Sequence, residues 1–113
     1  FLKDPKRQDE VGYWKNYIMS LDIGGIRQFG YAIFGRDSVL DALSKKADFV
    51  PTKVIVGEDD QPTPVTDATA LHDAIAGSAF AVVPRAGHSS PVEEPEIVTE
   101  LLTGFFEKIG VAN

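Results

Sequence analysis

The 113-residue sequence contains no cysteine. Disulfide bonds, thiolate metal sites and a cysteine nucleophile are therefore excluded within this chain. Cysteine usage does not indicate a compartment, so we take cytoplasmic as the default expectation. The longest uninterrupted apolar runs have four or five residues, whereas a membrane-spanning helix needs roughly 20. The start of the sequence also does not show the pattern of a secretory signal, and we expect no association with a membrane.

Positive charge is also scarce. The formal net charge is −6, and the two halves differ: residues 1–50 carry eight Lys/Arg against seven Asp/Glu, and residues 51–113 carry three against ten. A nucleic-acid-binding protein needs clustered cations to displace counterions, so we expect no nucleic-acid partner. The sequence opens Phe1-Leu2-Lys3 without a methionine, which suggests a piece of a longer protein.

The first part of the sequence, residues 1–49, predicts helices. Apolar residues recur at helical spacing over 6–20 and less regularly over 21–35, where three glycines weaken the pattern. A short third helix follows. Six of the eleven aromatic residues lie between Tyr13 and Phe34. We expect them to pack in a core; the alternative is that they line an apolar substrate pocket.

Two short apolar runs predict β-strands in the rest of the sequence. Residues 51–57 are rich in β-branched side chains and end at a glycine, and residues 79–83 read Ala-Phe-Ala-Val-Val. A helix between them makes a right-handed crossover, which places the strands parallel. The predicted fold class is α/β, with a helical segment at 1–49 and a parallel strand–helix–strand–helix segment at 50–113.

Local signals predict where the helices of this second segment begin. Thr63 has the position of an N-cap, with Pro64 as the first helical residue. Ser90 and Glu93 have the spacing of a capping box. Pro95 predicts the start of the last helix.

Asp60 and His88 follow the two predicted strands, one in each loop. The carboxyl ends of neighbouring parallel strands meet at one edge of a sheet, where ligands bind in open α/β folds. A carboxylate that accepts a hydrogen bond from an imidazole at this edge would fix the imidazole for proton transfer. Gly87 lets the histidine loop turn tightly. The pattern therefore predicts an Asp60–His88 catalytic pair.

The sequence from Val50 to Gly110 resembles the C-terminal third of the α/β-hydrolases. The resemblance depends on the segments VPTKVIVGEDD at 50–60, TP at 63–64, IAGS at 75–78, PRAGHSS at 84–90 and EEP at 93–95. It implies that Asp60 is the acid and His88 the histidine of a catalytic triad, and that residues 1–49 correspond to a cap region. It also implies an esterase- or lactonase-like hydrolase with a small-molecule substrate and with neither a cofactor nor a metal.

The third member of such a triad is missing from these residues. The family places its nucleophile in a G-x-S-x-G turn upstream of the acid, and no such motif occurs in the sequence. Ser89 and Ser90 follow the histidine and are interpreted as loop and capping residues. We therefore expect the isolated chain to be inactive, with a nucleophile, either Ser or Asp, outside it. The uncovered sheet predicts a homo-oligomer or association with the missing N-terminal half.

Other interpretations remain open at this point. Asp59 is an alternative to Asp60 as the acid, and the run from Glu58 to Asp60 is an alternative cation site. The same acidic run superficially resembles the pocket of a signalling receiver module, and a catalytically silent interaction fragment is a further alternative. His72, near the apolar stripe of its helix, is expected at the surface or its boundary.

Overall fold

The computed structural model describes residues 5–110. Their order of elements is a 3-10 turn Pro5–Arg7, helices α1 (Gln8–Ser20), α2 (Ile23–Phe34) and α3 (Leu40–Ser44), strand β1 (Lys53–Gly57), helix α4 (Val65–Ala74), strand β2 (Ala79–Val83) and helices α5 (Ser90–Glu93) and α6 (Pro95–Lys108). The mixed α/β class with helices first and strand–helix–strand–helix afterwards is thus confirmed. No helix among residues 5–110 has the length and apolar composition of a membrane span.

The chain divides into two compact units, with the boundary between Ser38 and Val39. The first unit contains α1 and α2. The second contains the sheet together with α3, which packs beside α4. The functional division after residue 49, into a cap-like segment and a core segment, stays a prediction.

The first unit is helical as its periodicity predicts, but its aromatic residues are not in a core. None of the residues of α1 and α2 is buried. The ring of Trp14 makes edge-to-face contacts with those of Tyr13 and Tyr17 along α1, yet all three side chains are exposed. The prediction of core packing is therefore wrong for this unit, because no second apolar surface of the described chain covers these side chains.

The second unit is built on a two-stranded parallel sheet. β1 and β2 pair in register from Lys53 with Ala79 to Gly57 with Val83, as the crossover rule predicts. One face packs on α6, where a core of Val83, Ala86 and Val98 is joined by Ile55, Ile97 and Leu101. The opposite face meets α4, where the ring of His72 stacks on that of Phe80. Helices therefore lie on both faces of the sheet.

Two predicted helix starts are shifted by one residue. α4 has Pro64 as its N-cap and begins at Val65, without a side-chain cap. α5 has Ser89 as its N-cap, so Ser90 is already helical. Only the start of α6 at Pro95 is as predicted. In both shifted cases the expected capping side chain, that of Thr63 or Glu93, bonds to the loop that contains a predicted site residue.

Candidate active site

The loops after β1 and β2 are joined by their main chains. The N–H of Glu58 donates to the carbonyl of Val83 at 2.9 Å, and the N–H of Asp59 donates to the carbonyl of Ala86 at 2.8 Å. These bonds continue the pairing beyond the last residues of the strands. Because the strands are parallel, both loops leave at the same edge, and the residues that follow in each loop are brought together.

Gly57 is the point of closest approach between the two loops. A Cβ atom at this position would overlap the carbonyl oxygens of Ala86 and Gly87 and would lie 2.8 Å from the carbonyl carbon of Ala86. The main chain of the histidine loop therefore passes directly over Gly57, and only glycine fits there. The glycine that ends the β1 motif thus sets the spacing of the two loops.

Asp60 and His88 meet at this edge. The Nδ1 atom of His88 lies 3.1 Å from Oδ2 and 3.2 Å from Oδ1 of Asp60. The carboxylate is buried, with its side chain 6% exposed, whereas the imidazole is 60% exposed. An ionised carboxylate can only accept, so Nδ1 holds the proton and Nε2 of the neutral ring is left as an acceptor. The geometry is that of a carboxylate that orients a proton-accepting histidine.

Thr63 completes the surroundings of the carboxylate. Its main-chain N–H donates to Oδ1 of Asp60 at 3.0 Å, and its hydroxyl donates to Oδ2 at 2.9 Å. The same hydroxyl oxygen lies 3.2 Å from Nδ1 of His88, so it contacts both members of the pair. The threonine that the sequence suggested as an N-cap therefore bonds to the candidate acid. The Asp-x-x-Thr spacing is the available sequence signal for this contact.

The pKa of Asp60 lies below its ordinary value. Burial alone would raise it, but the hydrogen bonds from the Thr63 N–H, from His88 and from the Thr63 hydroxyl stabilise the ionised form, as does the charge of His88. The result is a buried carboxylate that stays ionised. This is the state required for holding an imidazolium beside it.

Glu93, like Thr63, makes contacts beside the Asp60–His88 pair that the sequence did not predict. Its buried carboxylate accepts hydrogen bonds from the N–H of Gly87 at 3.0 Å and from the N–H of Ser89 at 3.1 Å. The bond from the N–H of Ser89, the N-cap of α5, reaches an acidic residue four positions later, one more than in a capping box. The bond from Gly87 reaches further back, to the residue before His88, and no spacing rule predicts it.

The other candidate residues, Glu58, Asp59 and His72, have different surroundings. Asp59 is exposed, and the carboxylate of Glu58 accepts a hydrogen bond from the N–H of Arg85 at 3.1 Å. His72 is half-buried beside Ser78, with its Nδ1 2.6 Å from the serine oxygen. Among the described residues no group of three or more His, Asp or Glu side chains is arranged to hold a metal ion. Only Asp60, of the acidic run, contacts a histidine in this part of the chain.

Two concave surfaces among the described residues lie away from the Asp60–His88 pair. One, of about 560 Å³, lies along α6 between Pro95 and Thr103. The other, of about 370 Å³, lies against α2 near Leu21 and Phe29. Neither concavity is lined by Asp60 or His88.

Two solved structures are similar to part of this chain. An α/β-hydrolase enzyme from the metagenome of sediments from the lagoon of Mar Chica, Morocco, superposes with a TM-score of 0.60 at 25% identity over 65% of this chain. A serine hydrolase involved in carbazole degradation superposes with a TM-score of 0.58 at 30% identity over 73% of this chain. Part of this chain is related in fold to the α/β-hydrolases. The chain spans only 32% and 30% of the lengths of these two hydrolases. No protein-family model and no curated protein matches it.

The α/β-hydrolase relationship confirms the fold predicted from the sequence motifs. Both superposed proteins are hydrolases, which supports a hydrolase fragment as the general class. The roles of Asp60 and His88 within such an enzyme stay predictions.

Proposed function

We propose that this chain is the C-terminal part of an esterase- or lactonase-like serine hydrolase, in which Asp60 and His88 are the acid and the base of the catalytic triad. The observation that supports this most directly is the hydrogen bond between Nδ1 of the exposed imidazole and the buried, ionised carboxylate. The chain spans less than a third of its solved relatives, by length. The nucleophile and the groups that stabilise the oxyanion are accordingly assigned to residues outside the 113.

The chemistry of the pair follows from which nitrogen holds the proton. Asp60 holds Nδ1–H, so Nε2 of His88 accepts the proton of the nucleophile's hydroxyl as the hydroxyl oxygen attacks the substrate carbonyl carbon. The imidazolium then returns this proton to the departing alkoxide. In the second half of the reaction Nε2 deprotonates a water molecule, whose oxygen attacks the acyl carbon. The bond between this carbon and the nucleophile's oxygen then breaks, and the imidazolium returns the proton to that oxygen. Asp60 stays ionised throughout and stabilises the charged ring.

The partners of the chain are part of the same proposal. β1 and β2 pair only with each other among the described strands, so each has an unpaired edge available for another strand. We propose that the rest of the enzyme, or a second copy of the chain, covers the sheet, and that a small ester or lactone is the substrate. Serine is favoured over aspartate as the nucleophile because one relative, 30% identical, is a serine hydrolase. A cytoplasmic location is retained as the default.

The test uses the full-length protein that contains this chain and a chromogenic ester as the substrate. His88→Ala should lower kcat by about 10³-fold or more, because the base is lost. His72→Ala is the matched control: it removes the other histidine of these 113 residues, which stacks on Phe80 away from the pair. It should change kcat less than about threefold after correction for folded fraction.

Two results would contradict the proposal. Near-normal turnover by the folded His88→Ala variant would remove His88 from the mechanism. Absence of any ester or lactone hydrolysis by the full-length protein would favour the silent interaction fragment instead. The 113-residue chain by itself is expected to show no turnover.

A further inference from the structure

A buried carboxylate next to the pair has no part in the proposed proton transfers. Glu93 is 6% exposed and lies at the end of α5. Its Oε2 atom accepts from the N–H of Gly87 and its Oε1 atom from the N–H of Ser89, so each oxygen receives one main-chain donor. These two donors belong to the residues immediately before and after His88. Hydrogen bonds to a charged acceptor are stronger than those between neutral groups.

The fit between the loop and this carboxylate is close. A Cβ atom at Gly87 would lie 3.3 Å and 3.5 Å from the two oxygens of Glu93, so a side chain there would displace the carboxylate by a few tenths of an ångström. The loop main chain is thus held on both sides of His88. By contrast, the imidazole itself is largely exposed, and its hydrogen bonds to Asp60 and Thr63 are made through Nδ1.

We infer that Glu93 is a positioning residue for His88: by binding the N–H groups on both sides of the histidine, it aims Nδ1 at Asp60 and Nε2 outward. The inference rests on the proposed function, which requires that orientation. An exposed ring has several rotamers available, and one contact with Asp60 must otherwise select among them. Fixing the main chain at both neighbours restricts where the ring can go.

The test measures which ring nitrogen of His88 carries the proton. Nitrogen-15 NMR of the 113-residue chain at alkaline pH distinguishes the two neutral tautomers, and the sequence has only two histidines, so His72 serves as an internal reference. In the wild-type chain His88 should be protonated at Nδ1. Glu93→Gln keeps the size of the side chain but replaces one acceptor oxygen with an NH₂ group, which cannot accept. We expect His88 to become a mixture of both tautomers, with His72 unchanged.

Two further variants separate position from charge. Glu93→Asp keeps the charge but is one methylene shorter. Gly87→Ala keeps Glu93 and crowds its carboxylate. Both variants should give a mixture of the two His88 tautomers. Glu94→Gln is the matched control, because Glu94 contacts the exposed Arg85 at 3.5 Å and should leave His88 at Nδ1. Loss of charge or of stability alone would leave the tautomer of the folded chain unchanged, since Asp60 is still present.

The outcomes distinguish the positioning role of Glu93 from the proposed catalytic role of Asp60 and His88. A wild-type tautomer in Glu93→Gln, with faster amide exchange at Gly87 and Ser89 showing that their bonds to residue 93 are lost, would overturn the positioning role and leave the triad intact. The same tautomer in Gly87→Ala would overturn it even if Glu93→Gln failed to fold. If the neutral ring of His88 in the wild-type chain did not carry its proton on Nδ1, the proposed Asp60–His88 hydrogen bond would be contradicted. Both proposals would then be refuted.

Discussion

Gly57 offers the sharpest test of how the fold assembles the site. In Gly57→Ala the new methyl group would lie 2.8 Å from the carbonyl carbon of Ala86 and closer still to two carbonyl oxygens. Ordinary contact begins at 3.4 Å, so the β1 end and the histidine loop must separate by about 0.6 Å or more. All of the opposing atoms are main chain, which cannot rotate away as a side chain would.

The cost of this separation has two parts. Overpacking against rigid neighbours destabilises by about 1–3 kcal/mol, which lowers the midpoint of thermal unfolding by roughly 5–20 °C for a unit of this size. The displacement also strains the bonds from the Glu58 and Asp59 N–H groups, now 2.9 Å and 2.8 Å long. The Asp60–His88 hydrogen bond is already 3.1 Å long, so a small further separation would break it.

The assay combines thermal unfolding with amide hydrogen exchange. Gly57→Ala should unfold at the lower temperature and lose protection at Glu58 and Asp59. Gly104→Ala is the matched control: a Cβ atom at Gly104, in the exposed part of α6, meets nothing within 4 Å, and replacing a helical glycine should stabilise by about 1 kcal/mol. A Gly57→Ala chain that is as stable as wild type, with Glu58 and Asp59 still protected, would refute the close approach of the two loops.

Two further predictions concern ionisation and backbone strain. The pKa of Asp60 is lower in the folded chain than its ordinary value of 3.8; its contribution to stability is therefore present above pH 3.8 and is lost as the pH falls through the lower, folded value. Urea unfolding from pH 7 downward should show a shallower acid loss of stability for Asp60→Asn, and an identical slope would contradict the shift. Arg85 has a φ of 59°, so Arg85→Gly should be more stable than Arg85→Ala by about 1 kcal/mol. Both variants lose the same exposed contact with Glu94, and equal unfolding midpoints would count against strain at this position.

The two principal site residues could be predicted because their placement depends on local pattern and topology. A β-branched run ending in glycine and a second apolar run predict two strands, and the crossover between them fixes the parallel order. Asp60 and His88 then follow at the same edge of the sheet. The pairing of β1 with β2 and the distance of 3.1 Å between His88 Nδ1 and Asp60 Oδ2 agree with that prediction.

Thr63 and Glu93 could not be placed in the same way. A hydroxyl or a carboxylate just before a helix can cap it or can bond to another group of its own loop, and both uses satisfy the polar group. The choice depends on how the loop folds back on itself and on which groups this brings close. Thr63 bonds to Asp60, three residues earlier in the same loop, and Glu93 bonds to the N–H of Gly87, six residues earlier along the chain.

By itself, the sequence determined the helices, the two strands, their order and the residues that have the chemistry of a general base and its carboxylate. These follow from periodicity and from turn residues, which act over a few positions along the chain. The tertiary structure alone decided which side chains are buried and which donors each carboxylate receives. The aromatic residues of α1 have helical spacing yet stay exposed, because periodicity aligns a face but burial requires a second surface to cover it. Asp60 and Glu93, in contrast, are buried, because hydrogen bonds compensate for removing each charge from water. Asp60 accepts from Thr63 in its own loop and from His88 in the neighbouring loop, and Glu93 accepts from Gly87 and Ser89.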